Sequence, residues 1–254
     1  SKNNLHPSSE TSFHALINRK YVLHVHSTTT IANAISQSSE SDLRKYLDED
    51  FIFVPYCRPG FTLTMEIKKL ILPSTNILIL ENHGLIVAGD DIEDTYKLLL
   101  KIHEKLDLIR NEKLGLDFLE KITNIGGYIH KNTDKYKLFS TQNEKLFSLF
   151  SKSFYPDHVI FLGPGIPTFS EVKEANEFIQ NLKRKNINLP PYLILKNKGL
   201  FENTLAIPAA KEMIDCFLEV LLRIDLSKSF KFLSSHQESE LLNWDIEIYR
   251  QSIN

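Results

Sequence analysis

Apolar positions change period several times along the chain, and each change marks an element. Tyr21, Val22, Leu23 and Val25 form a short apolar run that reads as a strand leading into His26. Before it, Ser8-Ser9-Glu10 precedes Phe13, Ala15, Leu16 and Ile17 and predicts a helix. Either serine can cap that helix, and Glu10 sits where the helix dipole favours an anion. Residues 28–36 and 41–47 predict short helices, and residues 51–54 a strand stopped by Pro55. A turn over residues 56–60 and a helix over 63–72 follow. Residues 76–80 and 85–88 predict two strands joined at His83-Gly84. Asp90-Asp91 then caps a long helix with Ile92, Tyr96, Leu99, Leu100, His103, Leu106 and Ile109 at helical spacing. This alternation predicts a layered α/β architecture.

The pattern weakens around residues 111–127, and a second unit begins. Residues 77–85 line up with residues 192–200, Leu80-Glu81-Asn82-His83-Gly84 matching Leu195-Lys196-Asn197-Lys198-Gly199. Phe51-Ile52-Phe53-Val54-Pro55 likewise lines up with Val159-Ile160-Phe161-Leu162-Gly163. Two echoes in the same order predict a duplication, with a first domain over residues 1–115 and a degenerate copy over 125–254. Lys198 stands where the first copy has His83, and an ammonium is no metal ligand. The second copy is therefore expected to bind no metal and to serve packing, assembly or substrate enclosure.

Net charge of −2 removes the basic excess that a nucleic-acid binder needs. No apolar run reaches bilayer length, and no secretory pattern opens the chain, so no membrane partner is expected. Cys57 and Cys216 are too few and too distant for a disulfide framework and suit a reducing cytoplasm.

His24 and His26 sit two apart on a strand, so both imidazoles face one side, roughly 7 Å apart along it. His83, at the end of a neighbouring strand, could complete a three-histidine site. Three neutral nitrogens would leave a coordination position open, as catalytic zinc requires. The donors also suit other divalent transition metals.

Pro7-Ser8-Ser9-Glu10-Thr11-Ser12-Phe13-His14, His24-Val25-His26-Ser27, Val54-Pro55-Tyr56 with Pro59-Gly60, and the run from Glu81-Asn82-His83-Gly84 to Gly89 together resemble the class II aldolase/adducin family. The resemblance runs from about residue 7 to 112. It implies a three-layer α/β/α domain, followed here by the degenerate copy, and usually a homotetramer. It also implies His24, His26 and His83 as ligands of Zn2+, and Glu10 as the acid/base. His14, one turn after Glu10, and Asn82 are candidates to steady that site, although His14 could equally be a packed or capping histidine. The implied activity is aldol cleavage of a ketose 1-phosphate to a dihydroxyacetone-phosphate-type fragment and an aldehyde. An epimerase, a decarboxylase or a non-catalytic adducin-like binding module are the alternatives.

The second half is similar to the middle of bifunctional proteins that join a rhamnulose-phosphate-type aldolase to a short-chain dehydrogenase. Asn243-Trp244-Asp245-Ile246-Glu247 resembles the stretch preceding their dehydrogenase part. No Gly-x-Gly-x-x-Gly is present, so no nicotinamide domain is expected and no cofactor-binding residues are assigned. The family's N-terminal strands and phosphate loop have no counterpart before Glu10, and the chain is expected to lack that portion. His103 is expected to be a half-buried structural residue, and His6, His130, His158 and His236 show no partner pattern.

Overall fold

The computed structural model describes residues 8–109, 111, 114–116 and 124–244. It divides into two compact units, Ser1–Leu108 and Ile109–Asn254.

The first unit is a four-stranded sheet covered on both faces. Strands β1 (Tyr21–Val25), β2 (Ile52–Val54), β3 (Ile77–Leu80) and β4 (Gly84–Gly89) stand in the order β1-β4-β3-β2. β1 and β3 are antiparallel to β4, while β2 is parallel to β3. Because side chains alternate along a strand, the sheet feeds two cores. Ile77, Ile79, Leu85 and Val87 enter one, with Leu43, Ile102 and Leu106. Leu78, Leu80, Ile86 and Ala88 enter the other, with Phe13, Leu63 and Ile67. Both faces being apolar, β3 and β4 read as near-continuous hydrophobic runs. Each fully buried Leu or Ile contributes about 1.5–3 kcal/mol. Helices α1 (Thr11–Leu16) and α4 (Phe61–Leu70) supply one layer. The other contains α3 (Ser39–Tyr46) and α5 (Ile92–Leu106), with α2 (Thr28–Ala34) packed on β4 and α5. This is the expected α/β/α arrangement.

Local capping differs from expectation at one end. Glu10 is itself the N-cap of α1 and makes no side-chain cap; Ser8 Oγ instead accepts from the Glu10 N–H at 3.2 Å. The helix α5 does start as read, with Asp91 accepting from the Asp94 N–H. Of its apolar line, Leu106 is buried and Leu99 and His103 are half-buried as expected, but Ile92, Tyr96 and Leu100 are exposed, Thr95 and Ile102 are buried instead, and Ile109 lies beyond the helix end. Apolar residues occupy more than one line on this helix, so spacing alone did not select the buried one.

The second unit contains β5 (Asn124–Ile125), β6 (Tyr128–His130), β7 (Thr168–Phe169), β8 (Tyr192–Leu195) and β9 (Gly199–Asn203), in the order β5-β6-β9-β8-β7. Its helices are α6 (Glu144–Leu149), α7 (Pro156–Leu162), α8 (Val172–Arg184), α9 (Pro208–Arg223) and α10 (Ser235–Leu242), with a 3-10 segment over Asp134–Ser140. The arrangement β6-β9-β8-β7 repeats β1-β4-β3-β2 in direction and register. Leu80 faces Gly84 as Leu195 faces Gly199, and Val54 faces Leu80 as Phe169 faces Leu195. The bonds Glu81 N–H to Val54 O and Lys196 N–H to Phe169 O are both 2.9 Å. A second copy of the fold therefore follows the first.

One expected echo is corrected. Val159-Ile160-Phe161-Leu162 lies in α7, started by Pro156 at its first turn, and the counterpart of β2 is Thr168–Phe169. A short apolar run suits a buried helix as well as a strand. Residues 245–247 of the dehydrogenase-like stretch, and His6, lie outside the described residues.

Candidate metal centre

His24 lies on β1, and His26 is the residue just after that strand. Pairing of β1 with β4 sets Val25 opposite Leu85, which carries both histidines to the β3–β4 turn. That turn is tight: Asn82 has φ +52°, and the His83 N–H bonds to Leu80 O at 3.1 Å. A left-handed backbone position favours Asn over most side chains. Gly84 follows because nothing larger fits. A Cβ there would lie 2.5 Å from Val25 O and 3.2 Å from the His26 Cα.

The three rings meet. Centroids are 5.0 Å apart for His24 and His26, 5.2 Å for His24 and His83, and 4.8 Å for His26 and His83. Glu10 Oε1 sits among them, 3.3 Å from His24 Nε2, 3.2 Å from His83 Nε2 and 3.9 Å from His26 Nε2. The donor atoms of these four residues all lie within 4.8 Å of one another.

A divalent cation fits this donor set. His24 Nδ1 stands 3.1 Å from the Leu85 carbonyl, which can only accept, so Nδ1 carries the hydrogen. In the neutral ring, Nε2 is then a bare lone pair, and it is buried without a hydrogen bond. A lone pair aimed at a carboxylate calls for positive charge between them. Tetrahedral bonds of about 2.0–2.1 Å give donor–donor edges of roughly 3.3–3.4 Å, and of the three contacts to Glu10 that of His24, at 3.3 Å, is of that length and that of His83, at 3.2 Å, is just under it. His24 and His83 side chains are 5% and 3% exposed, whereas His26 and Glu10 are 28% and 22%, so the centre opens on their side.

Electrostatics follow from the crowding. Burial pushes the Glu10 carboxyl up, but the adjoining His24, His26 and His83 imidazoles outweigh it and hold the group far below the usual carboxylate range. Burial drives His83 down to about 4; Glu10 opposes this, and His26 and His24 add to it.

Phe13 anchors the glutamate's helix, fully buried and edge-on to His24 at 5.3 Å. Ser12 Oγ and Thr64 Oγ1, 2.5 Å apart, pin α1 to α4. Sequence reading missed both contacts; no local pattern announces a pair 52 residues apart. His14 stacks on Phe13 at 4.8 Å and does not join the four-residue cluster. Asn82 shapes the turn and is buried. Glu81 is also buried, and its Oε2 accepts from the Tyr56 N–H at 2.9 Å, tying the β2 exit loop to the turn.

In the second unit, His130 faces Phe201 in the register where His24 faces Ile86. It is therefore the counterpart of His24, a relation that strand pairing reveals and spacing does not. Lys198 holds the place of His83, and Asn197 repeats the left-handed turn with φ +60°. Among the described residues, no second cluster of metal-type donors forms. None of the helices among them is long and apolar enough to cross a membrane.

Residues 1–108 match the family described as Class II Aldolase and Adducin N-terminal domain. The first unit is thus similar to class II aldolase/adducin domains over its whole length. Over 111 residues the chain is 29% identical to "Uncharacterized oxidoreductase YuxG" of Bacillus subtilis (strain 168), a match covering 43% of this chain and 16% of that protein. It is also similar to the N-terminal class II aldolase domain of a conserved protein from Thermoplasma acidophilum. That match has 28% identity and a TM-score of 0.37, covering 39% of this chain and 46% of the solved one. The chain thus spans well under two thirds of either relative.

Proposed function

We propose that the first unit is a metal-dependent aldolase acting on a ketose 1-phosphate, with His24, His26 and His83 holding a divalent cation, Zn2+ by preference. The observation that carries this reading is the convergence of three Nε2 atoms on one Glu10 oxygen at 3.2–3.9 Å. A cation held by neutral imidazoles would keep its full charge and stabilise the enediolate left when the carbon–carbon bond breaks. The substrate class, the cytoplasmic location and a homotetrameric assembly are taken over from the family resemblance. The second unit is proposed to be a duplicated, metal-free copy.

In cleavage, the hydroxyl on the carbon beyond the scissile bond passes its proton to solvent and becomes the aldehyde oxygen. The bonding pair passes to the carbon beside the carbonyl, and a proton returned there completes the dihydroxyacetone-phosphate-type product. Glu10 is the proton carrier at that carbon. Its suppressed pKa keeps it ionised at neutral pH, so in the condensation direction it accepts the proton from that carbon, and in cleavage it relays one to it from solvent. Packed against three imidazoles it cannot also reach a substrate carbon, so its side chain must swing toward the open side of the centre.

The test is aldehyde release from ketose 1-phosphates by metal-stripped protein resupplied with zinc. Glu10→Gln should retain zinc and lose at least about a hundredfold in turnover, the typical scale of general acid–base catalysis. Full activity of that variant would remove Glu10 from the proton transfer. Carbon dioxide from a keto-acid phosphate, with no aldehyde from any ketose, would move the reading to decarboxylation.

A further inference from the structure

His103 is a residue the proposed chemistry leaves unused, yet it belongs to a closed polar triangle beside the metal centre. Its Nδ1 lies 3.2 Å from Ser27 Oγ and 3.1 Å from Thr29 Oγ1, and the two hydroxyls are 2.9 Å apart. Ser27 directly follows His26 and is the N-cap of α2, its hydroxyl accepting from the Thr30 N–H. Thr29 is fully buried. Ser27 and Thr29 belong to the β1–α2 junction, whereas His103 comes from α5, 76 positions on from Ser27. One turn along, Asn33 repeats the clamp: its Nδ2 donates to Thr29 O within α2 and to Leu106 O of α5.

The junction is therefore gripped from two sides. Gly84 packs against the Val25 carbonyl and the His26 Cα, leaving no space even for a methyl group. On the helical side, the grip is the ring of His103. His24 needs no such help, since its own Nδ1 bonds to Leu85 O. Of the three rings, His26 has the longest contact to Glu10, 3.9 Å, and the most exposed side chain. Its backbone is what the triangle fixes.

We infer that His103 is a positioning residue for His26, setting the β1–α2 junction through Ser27 and Thr29 so that the third imidazole meets the other two. This rests on the metal reading proposed above. A Ser–His nucleophile is the rival use of such a pair. It is disfavoured because Ser27 Oγ is already engaged with Thr30 N–H and Thr29 Oγ1 and leaves no hydroxyl for a substrate.

The experiment measures the zinc dissociation constant by chelator competition, and separately the melting temperature of the metal-free protein. The variants are His103→Phe, which keeps ring volume, His103→Asn, whose amide can restore the Nδ1 contact, and His24→Ala as control. Outer partners of metal ligands typically affect affinity by about 10–100-fold. His103→Phe should weaken zinc by at least about tenfold, and His103→Asn should recover most of it. His24→Ala should lose zinc altogether. If His103→Phe only lowers melting of the metal-free protein and leaves zinc affinity unchanged while His24→Ala loses the metal, the positioning role is overturned and the metal reading stands. If His24→Ala also keeps zinc, the metal reading itself falls and the inference with it.

Discussion

The two units hold the same strand frame and put opposite chemistry on it. In the first, the turn between β3 and β4 reads Glu81-Asn82-His83-Gly84; in the second, the turn between β8 and β9 reads Lys196-Asn197-Lys198-Gly199. Both asparagines are left-handed, at +52° and +60°. Backbone bonds from Ala88 N–H to Asn76 O and from Asn203 N–H to Pro191 O, each 2.8 Å, close the two frames alike. His24 and His130 even share a register position. Yet His26 corresponds to Asn132 and His83 to Lys198. A frame of this kind is maintained by packing and turn geometry, while the donors on it vary independently.

Metal content breaks the comparison most sharply. His24→Ala or His83→Ala should take bound zinc from about one equivalent to under about a tenth, since removing one ligand of three leaves a site that competes poorly. His130→Ala, its counterpart in the second unit, should leave the zinc content unchanged. Loss of zinc in the His130 variant, measured on folded protein by plasma emission, would show that the second unit binds metal too.

Acid separates the units differently. His158 in α7 is fully buried, with neither ring nitrogen hydrogen-bonded, and packs on Phe217 at 4.5 Å. Burial alone drives its pKa down to about 3. A base with a lowered folded pKa stays neutral in the fold while the unfolded chain takes up a proton. Stability from it is whole above about 6.5 and is lost as pH falls toward 3, by up to about tenfold in the folding constant per pH unit. His83 adds a similar loss in the first unit of metal-free protein, from 6.5 down to about 4. Glu10 acts in a lower window. Its depressed pKa gives stability present above about 4.5, which is lost only below that value. Urea midpoints of metal-free protein at pH 7, 6 and 5 should therefore fall, and His158→Leu should fall less steeply by about one proton. Equal slopes would mean that His158 is hydrated or paired in solution.

The sequence disclosed some of this frame and concealed the rest for physical reasons. The turns were legible because their Asn-x-Gly signature and flanking apolar runs are local. Register was not, since two-residue β7 has no period to read, and the stronger apolar run at Val159–Leu162 was taken in its place. His130 stayed hidden because its meaning depends on what it faces across β9. The three histidines could be proposed from spacing, but Glu10 entered as acid/base only through the family resemblance, and the serine expected to cap its helix does not. His103 was legible as a half-buried helical histidine; its partners, 74 and 76 residues away, were not.

The glycines that end the two turns offer the finest cut between the units. Gly84 is required for space, as its Cβ would press on the Val25 carbonyl at 2.5 Å. Gly199 is required for backbone, with φ +92°, a region that side chains rarely adopt. Gly84→Ala should cost about 1–3 kcal/mol by overpacking, and the shift should fall on the strand that carries His24. Gly199→Ala should cost about 1–3 kcal/mol as local strain. The costs overlap, so stability alone does not distinguish them. Zinc affinity does: Gly84→Ala should weaken it severalfold, because β1 must retreat, while Gly199→Ala should leave it within experimental error. If both variants weakened zinc equally, the two frames would be energetically coupled rather than independent carriers of their chemistry.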